Sequence, residues 1–363
     1  MSFNIIAGIR MLLRAHKPFK TYSGSKKDIV HKIIRSCFNN TYFQVSSGHF
    51  LDFYARDFGM CVESLLELGY EKEVHQTIHW AFNSYTSNIT PTITPKGKPI
   101  EYFHSFSSDS LPFMLHTLHV ANCNDLVKKK KVFLETCIQK YVDEMVDEKT
   151  HLVRDTQFNS IKDHYKRKSS CYDTCMVGWS VLLAKKLGLY HPLQDVDYAT
   201  ILQKTYWKGS YFVDDLSKDT VVSADANIFP YYCGLITDKT FFTKSYKTIK
   251  ALGLDTPFPI KYTAIRQRKK ELRIPSFFAP NYEGTSVWIH LGLCFITVVK
   301  QYKPLDAKKY LKQYSKILLR HRNFLEVYDE NAKPYQSFFY KSDESMLWVS
   351  IYEHLLVSLT QKK

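Results

Sequence analysis

The chain has 363 residues, 45% of them hydrophobic and 15% aromatic, and a formal net charge of +15 at pH 7. That apolar content supplies a large core and excludes a disordered or low-complexity protein. The charge favours anionic partners, whether nucleic acid, a membrane surface or an acidic substrate, without choosing among them.

No Pro/Gly/Ser-rich linker divides the sequence, and toroids of helical hairpins reach this length around one core, so residues 1–363 read as a single domain. Residues 1–26 form a basic, apolar extension whose basic residues follow the apolar ones, the wrong order for a secretory signal. No run approaches the ~20 apolar residues of a membrane span. A cytoplasmic location is the expectation, with peripheral contact between this extension and a membrane as a second one. The eight cysteines are scattered singly. Cys171 and Cys175 lie one helical turn apart but have no companion pair at zinc spacing, so a reducing compartment and neither structural metal nor cofactor are expected.

In chain order, a helix is predicted near Asp28–Phe38, then the loop Asn39–Arg56. Phe58, Cys61, Val62, Leu65 and Leu66 make a helical stripe that Gly69 ends. A second stripe, Val74, Ile78, Ala81, Phe82 and Tyr85, follows so closely that the two must be antiparallel neighbours. A loop broken by Pro91, Pro95, Gly97 and Pro99 leads to a helix striped by Leu111, Leu115 and Leu118, with its partner at Leu134, Ile138, Tyr141, Val142 and Met145. The basic run Lys128–Lys131 reads as a solvated helix face. After the loop Asp147–Ser170 comes a helix through Met176, Trp179, Leu183 and Leu187, stopped by Gly188, and a partner at Asp195–Tyr206. The loop Trp207–Ser223 precedes a short helix near Asn227–Leu235 and its partner Thr240–Leu252. The loop Gly253–Glu283 precedes a helix through Trp288, Leu291, Phe295 and Val298, with a partner opened by Pro304. The loop His321–Ser342 leads to a last helix through Met346, Val349, Leu355 and Leu359.

Five close pairs with one unpaired helix at each end close into a ring of six if the ends pair, which is an (α/α)6 barrel. A helical solenoid is disfavoured because the units share no fixed period. In the barrel, short turns occupy one side and the long loops the other, where functional groups belong.

The long loops carry Arg56 and Asp57; Asp109; Asp163, His164 and Tyr172; Asp225 and Asn227; Tyr282, Glu283 and Trp288; and Glu326, Tyr328, Asp343 and Glu344. Any one of these acids could be a helix cap; their convergence on one mouth is what points to a site. Carboxylates with aromatic surfaces suit sugar chemistry, in which one acid protonates the glycosidic oxygen, a second carboxylate activates water or attacks the sugar, and rings stack on pyranose faces. No phosphate-cradling loop, dinucleotide fingerprint, nucleophile elbow or His-Glu-x-x-His helix is present. Nucleic-acid binding finds no recognition motif or basic helix face.

The segment FYARDFGMCVESLLELGYEKEV resembles the Arg-Asp segment of (α/α)6-barrel glycosidases, such as the glucosidase domain of glycogen debranching enzymes and the neutral/alkaline invertases. HLVRDTQFNSIKDHYKRKSSCYDTCMVGWS is similar to the debranching segment that carries the acid, although Ile161-Lys162 replaces its Trp-Met. NFLEVYDENAKPY, followed by MLWVSIYEHL, is similar to the closing loop and Trp-Ser helix, with Leu325 in place of Pro and Asp329-Glu330 without the usual glycine. The resemblance implies Asp163 as general acid, Glu326 as general base, Asp57 with Arg56 clamping sugar hydroxyls, Trp348 beside them, and inverting hydrolysis of a terminal glycoside. The basic loops Lys166–Lys168 and Arg266–Arg273 adjoin the expected mouth and fit an anionic glycan. The alternatives are a sugar epimerase or lyase on a similar toroid, and a non-catalytic protein that binds glycan or a membrane surface.

Overall fold

The computed structural model describes residues 5–101 and 105–360. Helix α1 (Ile5–Arg14) is followed by α2 (Lys26–Cys37), which a Ser25–Asp28 capping box opens. Hairpins then follow as the apolar stripes predict. They are α3 (Ala55–Glu67) with α4 (Glu71–Ser84), α5 (Ser110–Val120) with α6 (Asn124–Lys129) and α7 (Lys131–Met145), and α8 (Cys171–Leu187) with α9 (Tyr198–Tyr206). The one-turn α10 (Phe229–Tyr232) is paired with α11 (Lys239–Ala251), α12 (Arg273–Phe278) lies within the next loop, α13 (Ile289–Tyr302) pairs with α14 (Pro304–His321), and α15 (Val349–Thr360) ends the series.

Helices α3, α5, α8, α10, α13 and α15 pack side by side in that order, and α15 returns to α3 to close the ring. Outside them stand α4, α6 with α7, α9, α11 and α14, while α2 covers α15. This is an (α/α)6 barrel. The two rings differ as burial requires: every residue of α8 from Cys171 to Val181 is buried, whereas α14 buries only Ala307, Tyr310, Leu311, Tyr314 and Leu318. Close inner packing explains Gly59, where a Cβ would stand 2.7 Å from the Cβ of Phe113 on α5. The fourth inner element is shorter still than the short helix expected near Asn227–Leu235. It is a 3-10 turn, Asp225–Asn227, then α10, because Gly234 at φ +69° turns the chain away.

The long loops are laced to one another around one rim. Strands β1 (Phe53–Tyr54), β2 (Thr92–Ile93) and β3 (Pro99–Ile100) form a small antiparallel sheet beside the start of α3. Ser108 N donates to Asn159 O at 2.9 Å, Leu216 N to Lys168 O at 2.8 Å, and Ala224 N to Tyr262 O at 2.8 Å. Strand β4 (Val287–Trp288) pairs with β5 (Val327–Tyr328), and Leu347 N donates to Val45 O at 2.8 Å. These links hold the inner-helix N-termini, and the side chains before them, at one mouth.

Candidate active site

Arg56 and Asp57 lie inside the first turn of α3, which starts at Ala55 and has no side-chain cap. They face the mouth instead of capping the helix. Arg56 Nη1 donates to Asp109 Oδ2 at 3.1 Å and to Ser160 O at 2.7 Å, tying together the first three loops. Tyr172 OH donates to the same Asp109 oxygen at 2.9 Å, and Trp348 Nε1 donates to Asp57 Oδ1 at 2.9 Å. Burial pushes the Asp57 carboxyl up, against the Arg56 charge.

Asp163 stands beside this group, half-buried, with Ser160 N donating to its Oδ1 at 2.8 Å. Glu283 is buried, and its two oxygens accept from Asp163 N at 3.1 Å and His164 N at 2.7 Å. Burial pushes both carboxyls up to about 7; Arg56 opposes it for Asp163 and the two amides oppose it for Glu283. Glu283 therefore fixes the backbone that carries Asp163.

Glu326 precedes β5, and its main chain meets the first turn of α13 where Ile289 N donates to its oxygen at 3.2 Å. Its carboxyl accepts from Tyr282 OH and Tyr340 OH, each at 2.5 Å, and from Asp343 N at 2.9 Å. The two tyrosine oxygens are also 2.9 Å apart. With both hydroxyls donating to the carboxylate, the contact between them has no hydrogen of its own; when Glu326 takes up a proton it donates to one tyrosine and frees that hydroxyl to bond the other. Burial, then the Asp343 charge, pushes this carboxyl up to about 8. His164 stacks on Tyr282 with centroids 5.2 Å apart, and Trp288 Nε1 donates to Tyr282 O at 2.6 Å. The Asp163 and Glu326 loops thus meet through one aromatic cluster.

Four of the candidates, Asn227, Asp225, Glu344 and Tyr328, have partners within the scaffold. Asn227 donates to Phe212 O at 2.8 Å and Ser223 O at 2.9 Å and accepts from Phe212 N at 2.9 Å, which fills its amide with backbone partners. Asp225 is fully buried against Arg167, Nη1 to Oδ2 being 2.7 Å. Glu344 grips Arg14 and Lys20 N, and Tyr328 packs on Phe258. Several cations expected to face substrate are paired as well: Arg167 with Asp225, Arg266 with Glu271 at 2.6 Å and Lys270 with Asp215 at 2.9 Å. Lys128 and Lys131 lie on solvated helix faces, as predicted.

Sequence reasoning missed Tyr340 and His290. His290 is buried between Trp288 and Trp348, with centroids 5.0 and 4.8 Å away, and neither ring nitrogen has a hydrogen-bond partner among the described residues. Burial, helped by Arg56, holds it well below the usual histidine range and therefore neutral. The Trp288-x-His290 spacing at a helix start was its signal. Arg56 Nε is likewise without a hydrogen-bond partner among the described residues. A neutral imidazole and a guanidinium edge beside Asp57 offer both donors and acceptors to sugar hydroxyls.

The raised carboxyls make stability pH-dependent in a stated direction. In the folded chain Asp163 and Glu283 titrate near 7 and Glu326 near 8, against roughly 4 unfolded, so the folded state holds more protons and loses stability as pH rises. Below about pH 7.5 the histidines that burial lowers, among them His116 to about 3, His164 and His191 to about 4, and His49 and His290, oppose this. Between pH ~7.5 and ~8.5 the unfolded histidines are nearly neutral and the carboxyls, Glu326 above all, set the slope, so stability should fall by on the order of 1 kcal/mol per pH unit, read as a falling calorimetric Tm. A flat or rising Tm across that window contradicts it.

Comparison with solved structures finds the same architecture at low identity. A variant glycosidase in complex with glucose is 11% identical, with 99% of each chain covered and a TM-score of 0.66. The GH63 mannosylglycerate hydrolase of Thermus thermophilus, in complex with Tris, is 10% identical over 92% of this chain and 100% of that one, with a TM-score of 0.64. A rhamnosidase from Klebsiella oxytoca with rhamnose bound is 12% identical over 94% of this chain and 66% of that one, with a TM-score of 0.62. The fold is that of the six-hairpin glycosidases. No protein-family profile and no curated sequence matches the chain.

Proposed function

We propose that this protein is a glycoside hydrolase that cleaves a terminal glycosidic bond with inversion, Asp163 protonating the leaving oxygen and Glu326 activating water. One observation carries the reading: the loops that bear Asp163 and Glu326, two carboxyls raised by burial, meet at the His164–Tyr282 stack on one barrel mouth beside the Arg56–Asp57 clamp. A raised Asp163 is suited to donate a proton near neutrality. Burial holds Glu326 above the usual carboxylate range, against the two tyrosine hydroxyls that favour its charged form, so near neutrality the productive form is a minority species and kcat/KM is bell-shaped in pH, with limbs set by the two groups. Trp288 and Trp348 flank His290, whose ring nitrogens, without partners among the described residues, would meet sugar hydroxyls beside Asp57. A shallow cleft of about 630 Å³, where Lys218, Arg268 and Lys269 stand beside Asp219 and the paired Arg266 and Lys270, is where an anionic substituent on the glycan would bind.

The test is proton NMR of the first-formed sugar from α- and β-linked terminal glycosides, neutral, phosphorylated and uronate-containing. Inverted configuration is expected. Retention overturns the acid and base roles. A rearranged but uncleaved sugar favours an epimerase, a reading for which neutral His290 is the specific support. Binding without turnover, unchanged in Asp163→Asn, favours a lectin-like role.

A further inference from the structure

We infer that the rim beside the mouth is a docking surface for an anionic lipid bilayer. Three segments build it. Helix α1 turns one face to the barrel, where Arg10 Nη1 donates to His49 O at 3.0 Å and Arg14 pairs with Glu344, and points Ile9, Leu12 and Leu13 outward. Helix α12 exposes Ile274 (72%) and Phe277 (67%), and the loop before Tyr340 exposes Phe338 (74%). These pieces are continuous. His16, just past α1, packs on Phe338 with centroids 5.7 Å apart, and Phe339 joins Phe338 at 4.9 Å to Phe277 at 5.5 Å. Backbone anchors hold them in place: Gln336 Nε2 donates to Ala15 O at 3.1 Å and Ser337 Oγ to Phe278 O at 2.7 Å.

Charge selects the occupant. Exposed Lys17, Lys20, Arg268, Lys269 and Arg273 border the apolar side chains. Residues 5–20 and 337–341 contain no acid, and the only one in 264–278, Glu271, is held by Arg266 at 2.6 Å. An outward apolar stripe flanked by basic residues is the pattern that seats in a headgroup layer carrying negative charge. A second copy of the chain would set these like charges against each other across a two-fold axis. No described helix is long and apolar enough to cross a membrane, so the contact is peripheral. The patch lies on the mouth side, because Arg10 holds His49, whose ring approaches Tyr340. Docking therefore turns the mouth toward the lipid surface, and, if the hydrolase reading holds, a lipid-borne glycan is the substrate class it would reach.

The experiment is co-sedimentation of the full chain with vesicles of phosphatidylcholine alone and of phosphatidylcholine mixed with phosphatidylglycerol. Binding is expected to the mixed vesicles only. The double variant Leu13→Glu/Phe338→Glu, with an unchanged thermal melt because both side chains are exposed, should bind at least about tenfold more weakly. Asp163→Asn should bind like the parent, which separates docking from catalysis. The proposal is overturned if the mixed vesicles leave the protein in solution, if the double variant binds undiminished, or if light scattering shows a dimer that the double variant abolishes.

Discussion

Asp163→Asn is expected to lower kcat/KM by about 10²–10⁴-fold, the range that general acid catalysis supplies. The asparagine keeps the acceptor for Ser160 N, 2.8 Å away in the parent, so the loop should hold and the loss should be chemical. A substrate whose leaving group departs without a proton, such as a nitrophenyl glycoside, should recover most of that rate. Glu326→Gln should lose a comparable factor on every substrate, because activating water does not depend on the leaving group. The two variants therefore separate acid from base without reference to any relative. The alkaline limb of the pH profile should also disappear in Asp163→Asn. If both variants retain activity within a factor of a few, with unaltered circular dichroism, neither carboxyl does the proposed work.

The second large effect is on stability. Arg167→Met should destabilise the fold by about 3–5 kcal/mol, measured as a shift of the denaturant midpoint at constant slope. The guanidinium is almost fully enclosed; it sits 2.7 Å from Asp225, 3.7 Å from Asp214 and 3.9 Å from Asp173, and donates to Ser160 Oγ at 2.7 Å. Removing it leaves carboxylates without their cation in a dry interior, where Lys162, 3.6 Å from Asp214, cannot serve them all. Adding Asp225→Asn should restore part of the loss, since the uncompensated charge and not the missing contact dominates the cost. Ser160 links this cluster to the mouth: its carbonyl holds Arg56 and its amide holds Asp163, so activity should fall in step with stability. A midpoint shift worth less than about 1 kcal/mol would show that the cluster is better solvated than its burial implies.

The fold was legible because its period is local. Stripes such as Phe58–Leu66 and Met176–Leu187, with stops at Gly69 and Gly188, are set by neighbours along one helix, and the pairing of ends follows from counting. Arg56 and Asp57 stand out at the start of an inner helix, whereas Asp163 and Glu326 lie well before α8 and α15 and are singled out only by resemblance to known glycosidases. What each carboxyl touches was not legible. Asn227 looks like a mouth residue, yet its amide is filled by the backbone around Phe212, a partner fixed only when the loop folds back. Tyr340 lies 14 positions from Glu326 in a loop without periodicity, so nothing local announces its hydroxyl. Charge misled in a similar way: Lys and Arg counts show cations, whereas the acids that pair with Arg167, Arg266 and Lys270 are chosen by tertiary structure.

The seam where α15 meets α3 also has a kinetic meaning. The bond from Trp348 to Asp57 joins residues 291 positions apart, and α2 is covered by the same last helix. Most of the other inner contacts link consecutive hairpins, which assemble at small loop-closure cost, while this one must wait for nearly the whole chain. The clamp side of the mouth should therefore be the last part to form on folding. By the same reasoning it is the first to open in native-state hydrogen exchange, where amides of α15 should exchange before those of α5 and α8.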